Sequence, residues 1–547
     1  MDKTRLFAST ASRPGLMQSK VFRLAGIIVL CTLIFFACGI KVQERKIFTP
    51  DEATATMSPP PRGMRNPEPQ FPSPKKSPFL KAHMKNGGAY VFSHWQVNGP
   101  LKTVSGLADY LDLNREVIHL DTLTIHCDSV VLFETNEIRT SGGVTALGAV
   151  TVISAAITIA CIANPKACFG SCPTFYASDG ERMILQAEGF SSSVAPALEA
   201  RDIDALHRAS PLSRDFQLLM KNEALETHMV RYADLIAVPR PNDGRVFAGV
   251  DGSYWQASQP LFPASCNGPE GDCLALIREF DGVERFSLSD SLDLAAKEYL
   301  ELNFGNIGEG SWGLVIACRQ SLVTTFVFYQ ILAYLGHEAV PCLAAMSRGN
   351  GGLADRYRKF GKILGGIEVL VKGVDGEWKS SGNIYETGPL ATDVHLLPLP
   401  EIGGENVDVR LQLSKGGWRI DQISLVKLAG TVEGMRIRPS LVEHNGTVDN
   451  DALAALLDST SMLATIPGDS VTITYQLPQN YTELELFLES RGYYLEWIRD
   501  EWLAEENPDM AAVAITDPDR MLRIMAPKYK EVESEMEQLF WSSRYAK

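Results

Sequence analysis

The chain of 547 residues is 45% hydrophobic, 21% charged and 9% aromatic, the balance of a folded globular protein rather than a disordered or fibrous one. Its net charge of −15, with no basic stripe to offset it, argues against nucleic acid or an anionic lipid surface as the main partner. Roughly 450 residues follow position 88, room for about two to four domains.

Residues 1–40 read as an export signal. A basic leader with Lys3, Arg5, Arg13, Lys20 and Arg23, and a second potential start at Met17, opens onto an apolar run that reaches Ile40. Within it Phe35-Phe36-Ala37-Cys38-Gly39 resembles a bacterial lipobox, with Phe35 where an aliphatic residue is usual. That resemblance implies cleavage before Cys38 and lipid attachment to it; two or three acyl chains, at about 0.8 kcal/mol per buried methylene, hold stably where one is marginal. The alternative is an uncleaved signal anchor, since about 20 apolar residues span a bilayer. Either route implies a bacterial cell-envelope protein, membrane-anchored at its N-terminus, with its folded part outside the cytosol.

Residues 41–88 cannot build a core. They carry Pro59-Pro60-Pro61 and spaced prolines from Pro67 to Pro78 among lysines, serines and acids, which favours extended, solvated backbone and a tether. Residues 89–141 alternate as strands with turns at Asn98-Gly99 and Asn114-Arg115, predicting a small antiparallel meander. His94, His119 and His126 fall there, but His119 and His126 are an odd number apart and face opposite sides of a regular strand, so no metal site is expected.

Residues 142–164 contain Gly143–Ala163, twenty-one positions without a charge. The length suits a membrane span or a fully buried helix, with a strand hairpin as a third reading. The small residues lower bilayer affinity and favour close helix packing.

For residues 165–260 Pro173 starts a strand, Asp179-Gly180 marks a hairpin turn and Glu181–Phe190 returns as the partner, predicting a β-sandwich or barrel. Here Ser171-Cys172-Pro173, Asp179-Gly180-Glu181 and Glu188-Gly189 form a block that resembles a recurring family of secreted or membrane-attached bacterial proteins without an assigned activity. The likeness extends through Asn222–Thr227, Arg319-Gln320-Ser321, Glu386–Leu390 and Leu488–Tyr494, most of the chain from about Tyr90 onward. It implies an architecture and no reaction.

Ten cysteines matter because export exposes them to oxidation. Cys266 and Cys273 enclose the turn-forming Asn-Gly-Pro-Glu-Gly-Asp and are the first candidate disulfide; Cys168 and Cys172 are the second. Three residues between the latter pair, after an apolar run, disfavour a thioredoxin-like centre, and no further ligands at zinc spacing follow.

Residues 261–430 read as a jelly-roll-like β domain with inserted helices. A helix is predicted over Ser289–Leu300, a strand over Gly313–Cys318 and an apolar helix over Gln320–Leu335, with His337 as a cap. Strands return from Gly365 to Leu428, where Trp378 and Trp418 occupy positions that sandwiches give either to the core or to a glycan-binding face. Gly308–Gly313 misses the G-x-S-x-G spacing of a serine nucleophile.

Residues 431–547 read as mixed and mostly helical, with helices over Thr482–Glu506 and Asp517–Tyr545; the charges from Glu489 to Glu501 are expected to be solvated. The expected fold is mainly β with α additions: tandem β-sandwich-like domains, a hydrophobic central helix and a helical C-terminus. No catalytic residue, cofactor or metal is predicted. A non-enzymatic binding or scaffold protein with a protein or glycan ligand is the favoured function, and a membrane-attached, carboxylate-based envelope hydrolase is the alternative. The discriminating observable is a cleft with convergent ionisable groups of shifted pKa.

Overall fold

The computed structural model describes residues 40–48, 80–84, 88–111, 117–141, 172–496 apart from 225, 350–351, 386–387, 401–405 and 467, and 505–543. Cys38, Cys168, the proline-rich stretch and the run 143–163 lie outside the described residues. What is described is mainly β, with five sheets and a few helices.

The N-terminal sheet stands by itself. Ala89–Asn98, Thr103–Leu111 and Val117–His126 pair in succession, with Leu80–Met84, Val130–Ser141 and Ile40–Phe48 completing the order on the other side. Leu80, Phe92, Trp95, Val104, Ile125 and Phe133 share its core. His94 is exposed beside Ser93, and His126 pairs across to Thr103, so these two histidines do not converge.

The main body is four sheets stacked on three cores. The first sheet runs Thr447–Val448, Leu441–His444, Ser470–Gln476, Asp215–Lys221, Thr174–Ser178, Met183–Glu188. The second runs Met435–Ile437, Glu226–Pro239, Leu484–Glu496, Ala200–Ala205, with Leu463–Thr465 also on Glu226–Pro239. Side chains such as Leu218, Ile473, Leu235 and Leu488 fill the space between these two. The other face of the second sheet, with Ile236, Val238 and Phe487, packs on Val315, Ala317, Val394 and Val426 of the third.

The third sheet contains Gly244–Gly249, Tyr254–Ser258, Asp393–Pro398, Trp312–Gln320, Trp418–Val432 and Arg285–Phe286. It curls, because Tyr254–Ser258 pairs with both Gly244–Gly249 and Trp418–Val432. Its far face, with Leu314, Ile316, Ile423 and Leu425, meets Leu302, Val369, Val409 and Leu411 of the fourth sheet. That last layer runs Gly271–Asp272, Ser265–Gly268, Lys297–Asn303, Asp408–Ser414, Ile367–Lys372, Trp378–Ile384.

Chain order does not follow the layers. Asp215–Lys221 pairs with Ser470–Gln476, and Glu226–Pro239 with Leu484–Glu496, so residues 435–496 return to complete the pair of sheets begun at Thr174. The boundaries read at 260 and 430 thus separate strands that share a sheet.

Two predicted helices differ. Leu484–Glu496 is a strand, because a central strand buried on both faces is a near-continuous apolar run in which helical spacing occurs by coincidence. Over Ser289–Leu300 the chain turns instead: Asp290 accepts the amides of Leu292 and Asp293, Asp293 accepts that of Ala295, and Lys297–Asn303 leaves as an alternating strand. The apolar helix does form, as Val323–Leu335, and packs with Pro518–Ser543 through a Phe326–Tyr529 ring contact at 5.0 Å. Pro508–Thr516 begins where the Asn507 side chain accepts the Met510 amide, with Pro508 in the first turn. Among the described residues no helix is long and apolar enough to cross a membrane.

Candidate binding site

A cavity of about 300 Å³ opens where the edges of the first three sheets meet. Leu185 and Gln186 come from Met183–Glu188, Ala205 from the end of Ala200–Ala205, and His207 and Arg208 from the turn beyond it. Phe280, Gly282 and Glu284 come from the loop before Arg285–Phe286, Arg319 from Trp312–Gln320, and Arg419 and Asp421 from Trp418–Val432. A site built from strand ends of three sheets is positioned by the cores behind it rather than by one loop.

All but one of the ionisable side chains of this cavity are tied down. Arg319, 2% exposed, forks Nε and Nη2 around both oxygens of Glu284 and donates Nη1 to the Pro389 carbonyl at 3.0 Å. Arg419 lies 3.9 Å over the Phe286 ring with Nη1 3.6 Å from the same glutamate. Asp421 accepts the amides of Asp281 and Gly282 at 3.1–3.3 Å across a turn that Gly282 makes with φ +84°. Burial, reinforced by Glu284, pushes the Asp421 carboxyl up to about 6, even though the Gly282 amide opposes it.

His207 is held uncharged. Burial and then Arg245 push it down to about 3, and Arg245 donates to its Nε2 at 3.0 Å, which leaves the proton on Nδ1. Arg245 is itself neutralised by Glu485. Two groups are less committed. The Gln186 side chain is 5% exposed and spends its oxygen on the Arg208 amide at 3.3 Å, while its Nε2 has no partner. The Arg208 guanidinium sits 5.7 Å over Phe280 with no acidic partner among the described residues.

Directly behind the wall lie four acids. Glu188 accepts the Leu390 and Ala391 amides, Asp202 those of Phe190 and Ile203, and Asp393 those of Ala205 and Val394. Asp204 keeps one oxygen without a partner. Burial and then repulsion from Asp393 push Asp202 up to about 6, while burial and then Asp202 hold Asp204 well above the carboxylate range. Like charges in one buried junction favour retained protons over a full set of anions. Among the described residues no group of three His, Cys, Asp or Glu side chains is arranged to hold a metal ion.

The residues singled out in the sequence lie elsewhere. Cys266 and Cys273 face each other across the Ser265–Gly268/Gly271–Asp272 hairpin, buried, with Sγ atoms 2.8 Å apart, beyond the roughly 2.05 Å of a formed disulfide. Cys172 is a buried thiol, and its intended partner Cys168 lies outside the described residues. Trp418 is core, whereas Trp378 lies on the outer sheet with the Arg410 guanidinium 4.1 Å over its ring. Glu489, expected on a solvated helix, is 2% exposed and grips Arg201 and Arg436. A second cavity of about 490 Å³ between Val323–Leu335 and Leu353–Leu364 is lined largely by apolar side chains such as Phe328, Ile331 and Phe360. Sequence reading did not single out Gln186, Arg208 or Asp421; the only signal was polar residues set into otherwise apolar strands at Gln186 and Asp421, and Arg208, in a turn, carried none.

No family model and no curated protein matches the chain. Among solved structures it is similar to the GH31 alpha-xylosidase from Xanthomonas citri, at 9% identity and a TM-score of 0.14. The match covers 80% of this chain and 34% of that one, so the chain spans about a third of that protein's length. A likeness this low carries no argument about fold or reaction.

Proposed function

We propose that the chain is a bacterial cell-envelope protein, fastened through Cys38 or an uncleaved signal anchor, that works by binding a glycan or protein of the envelope rather than by catalysis. The proline-rich stretch joins Ile40–Phe48 to Leu80–Met84, two strands of the N-terminal sheet, so that sheet would sit next to the anchor, and residues 143–163 would form an apolar helix, buried or in the bilayer, between it and the main body. The observation that supports binding is the state of the acids in the cavity. Both oxygens of Glu284 are taken by Arg319, and both oxygens of Asp421 accept backbone amides. A general base or nucleophile works best through an oxygen that the protein's own donors leave unencumbered, and neither acid offers one. A volume of about 300 Å³ suits one small ligand unit, such as the end residue of a glycan.

The hydrolase reading retains one observation, the raised Asp421 carboxyl opposite Glu284. The two readings separate in one experiment. Full-length protein and a Cys38→Ser variant are labelled with clickable palmitate, and purified envelope fractions are incubated with envelope glycans, following both retention and cleavage. Label lost in Cys38→Ser and retention without cleavage support the proposal; glycan fragments that disappear in Asp421→Asn overturn it in favour of the hydrolase.

A further inference from the structure

Resting on that binding reading, we propose that the cavity selects an anionic ligand, a small hydroxylated carboxylic acid such as a uronic acid residue, by presenting Arg208 and Gln186 to its carboxylate. The cavity wall carries three guanidiniums, Arg208, Arg319 and Arg419, against two carboxylates, Glu284 and Asp421, with His207 uncharged. Arg319 is consumed by Glu284, and Arg419 lies beside the same acid and on Phe286. Arg208 keeps an unmatched charge at the rim.

The second observation is independent of charge. Gln186 is 95% buried, lines the cavity, and holds an amide nitrogen with no acceptor. A buried donor without a partner is a standing cost that an acceptor oxygen in the cavity would remove. Gln186 and Arg208 are already joined, through the Arg208 amide and the Gln186 side-chain oxygen, so that oxygen is occupied and the nitrogen is the end left to the ligand. A carboxylate accepts from an amide and a guanidinium together, as charge-assisted bonds. Phe280, beneath the Arg208 guanidinium, supplies the apolar face against which a sugar ring stacks. A neutral sugar would leave Arg208 unmatched, and a cationic one would be repelled by it.

The test uses the purified full chain in detergent, titrated calorimetrically with D-glucuronate and with D-glucose. Glucuronate is expected to bind at least tenfold more tightly than glucose, with affinity falling as sodium chloride is raised from 20 to 300 mM, roughly a threefold or greater shortening of the screening length. Arg208→Gln, an exposed position that leaves the cores intact, is expected to remove the preference by bringing glucuronate affinity down at least tenfold relative to glucose. Gln186→Met should weaken glucuronate in the same sense, and a thermal melt of each variant separates lost recognition from lost folding. Equal affinity for the two sugars, or a preference that survives Arg208→Gln, overturns the anion assignment while the binding reading stands. Heat from neither sugar overturns the assignment as well, and cleavage of a glycan in the preceding assay overturns the reading beneath it.

Discussion

Arg319 and Glu284 form a two-pronged ion pair in which both side chains are almost wholly removed from water. Such a pair contributes little net stability, because desolvation offsets attraction, but removing Arg319 leaves the buried Glu284 with only the longer Arg419 contact at 3.6 Å. Arg319→Met is therefore expected to destabilise the protein by about 3–5 kcal/mol. The double variant Arg319→Met/Glu284→Gln should recover much of that loss, as read from urea midpoints. A single variant no worse than the double would contradict the pairing.

Asp421 makes stability fall as pH rises. Its carboxyl is raised from 3.8 to about 6, so between those values the folded protein holds a proton that the unfolded chain has released. Stability from this group is complete below about pH 4 and lost as pH climbs through 6, a change of about 2–3 kcal/mol. Asp202, raised to about 6 as well, acts in the same direction. Urea midpoints taken at pH steps from 4 to 7 should show this slope, and Asp421→Asn should flatten it.

His444 behaves as a cation held by two acids. Asp469 at 3.3 Å and Asp449 at 3.5 Å raise it above its ordinary 6.5 against the effect of burial. A raised histidine stabilises fully below the unfolded value of 6.5, and that contribution is lost as pH rises through the folded one. The difference in stability between the native chain and His444→Gln should thus be largest near pH 5.5 and fade toward alkaline pH. Proton NMR of the imidazole should place its midpoint above 6.5.

Phe487 and Leu488 are neighbours in sequence that serve different cores, one against the third sheet and the other against the first. Phe487→Ala is expected to cost about 3–5 kcal/mol and Leu488→Ala about 2–5 kcal/mol, since neither site can collapse without moving a sheet. Chemical denaturation would check both, and a loss under 1 kcal/mol at either would contradict burial on both faces.

Cys266 and Cys273 tie the proposed localisation to chemistry. The Cys273 amide bonds to the Cys266 carbonyl at 3.0 Å, which sets the two side chains opposite each other. Protein recovered from an oxidising envelope should yield, on peptide mapping without reductant, a bond joining these two residues. Complete alkylation of both thiols in that fraction would argue against export.

Legibility followed the number of faces a strand buries. The hairpin Thr174–Ser178/Met183–Glu188 and the alternating strand Asp408–Ser414 were readable because turn residues or a polar outer face punctuate them. Leu484–Glu496 was misread because twelve of its thirteen residues are buried, which erases the period of two. The cavity residues carried still less signal, since Gln186 and Arg208 meet Asp421 from more than 200 residues away in the chain.

The sequence alone determined that this is a mainly β chain with α additions, because local composition and alternation report on what a segment can bury by itself. Which strands share a sheet, and that residues 435–496 close the layers begun at Thr174, was decided only by tertiary structure. The same holds for the state of the acids: the charge that Asp421 or Asp202 carries depends on burial and on neighbours more than a hundred residues away. Desolvation and through-space repulsion are properties of the folded arrangement, and no stretch of sequence contains them.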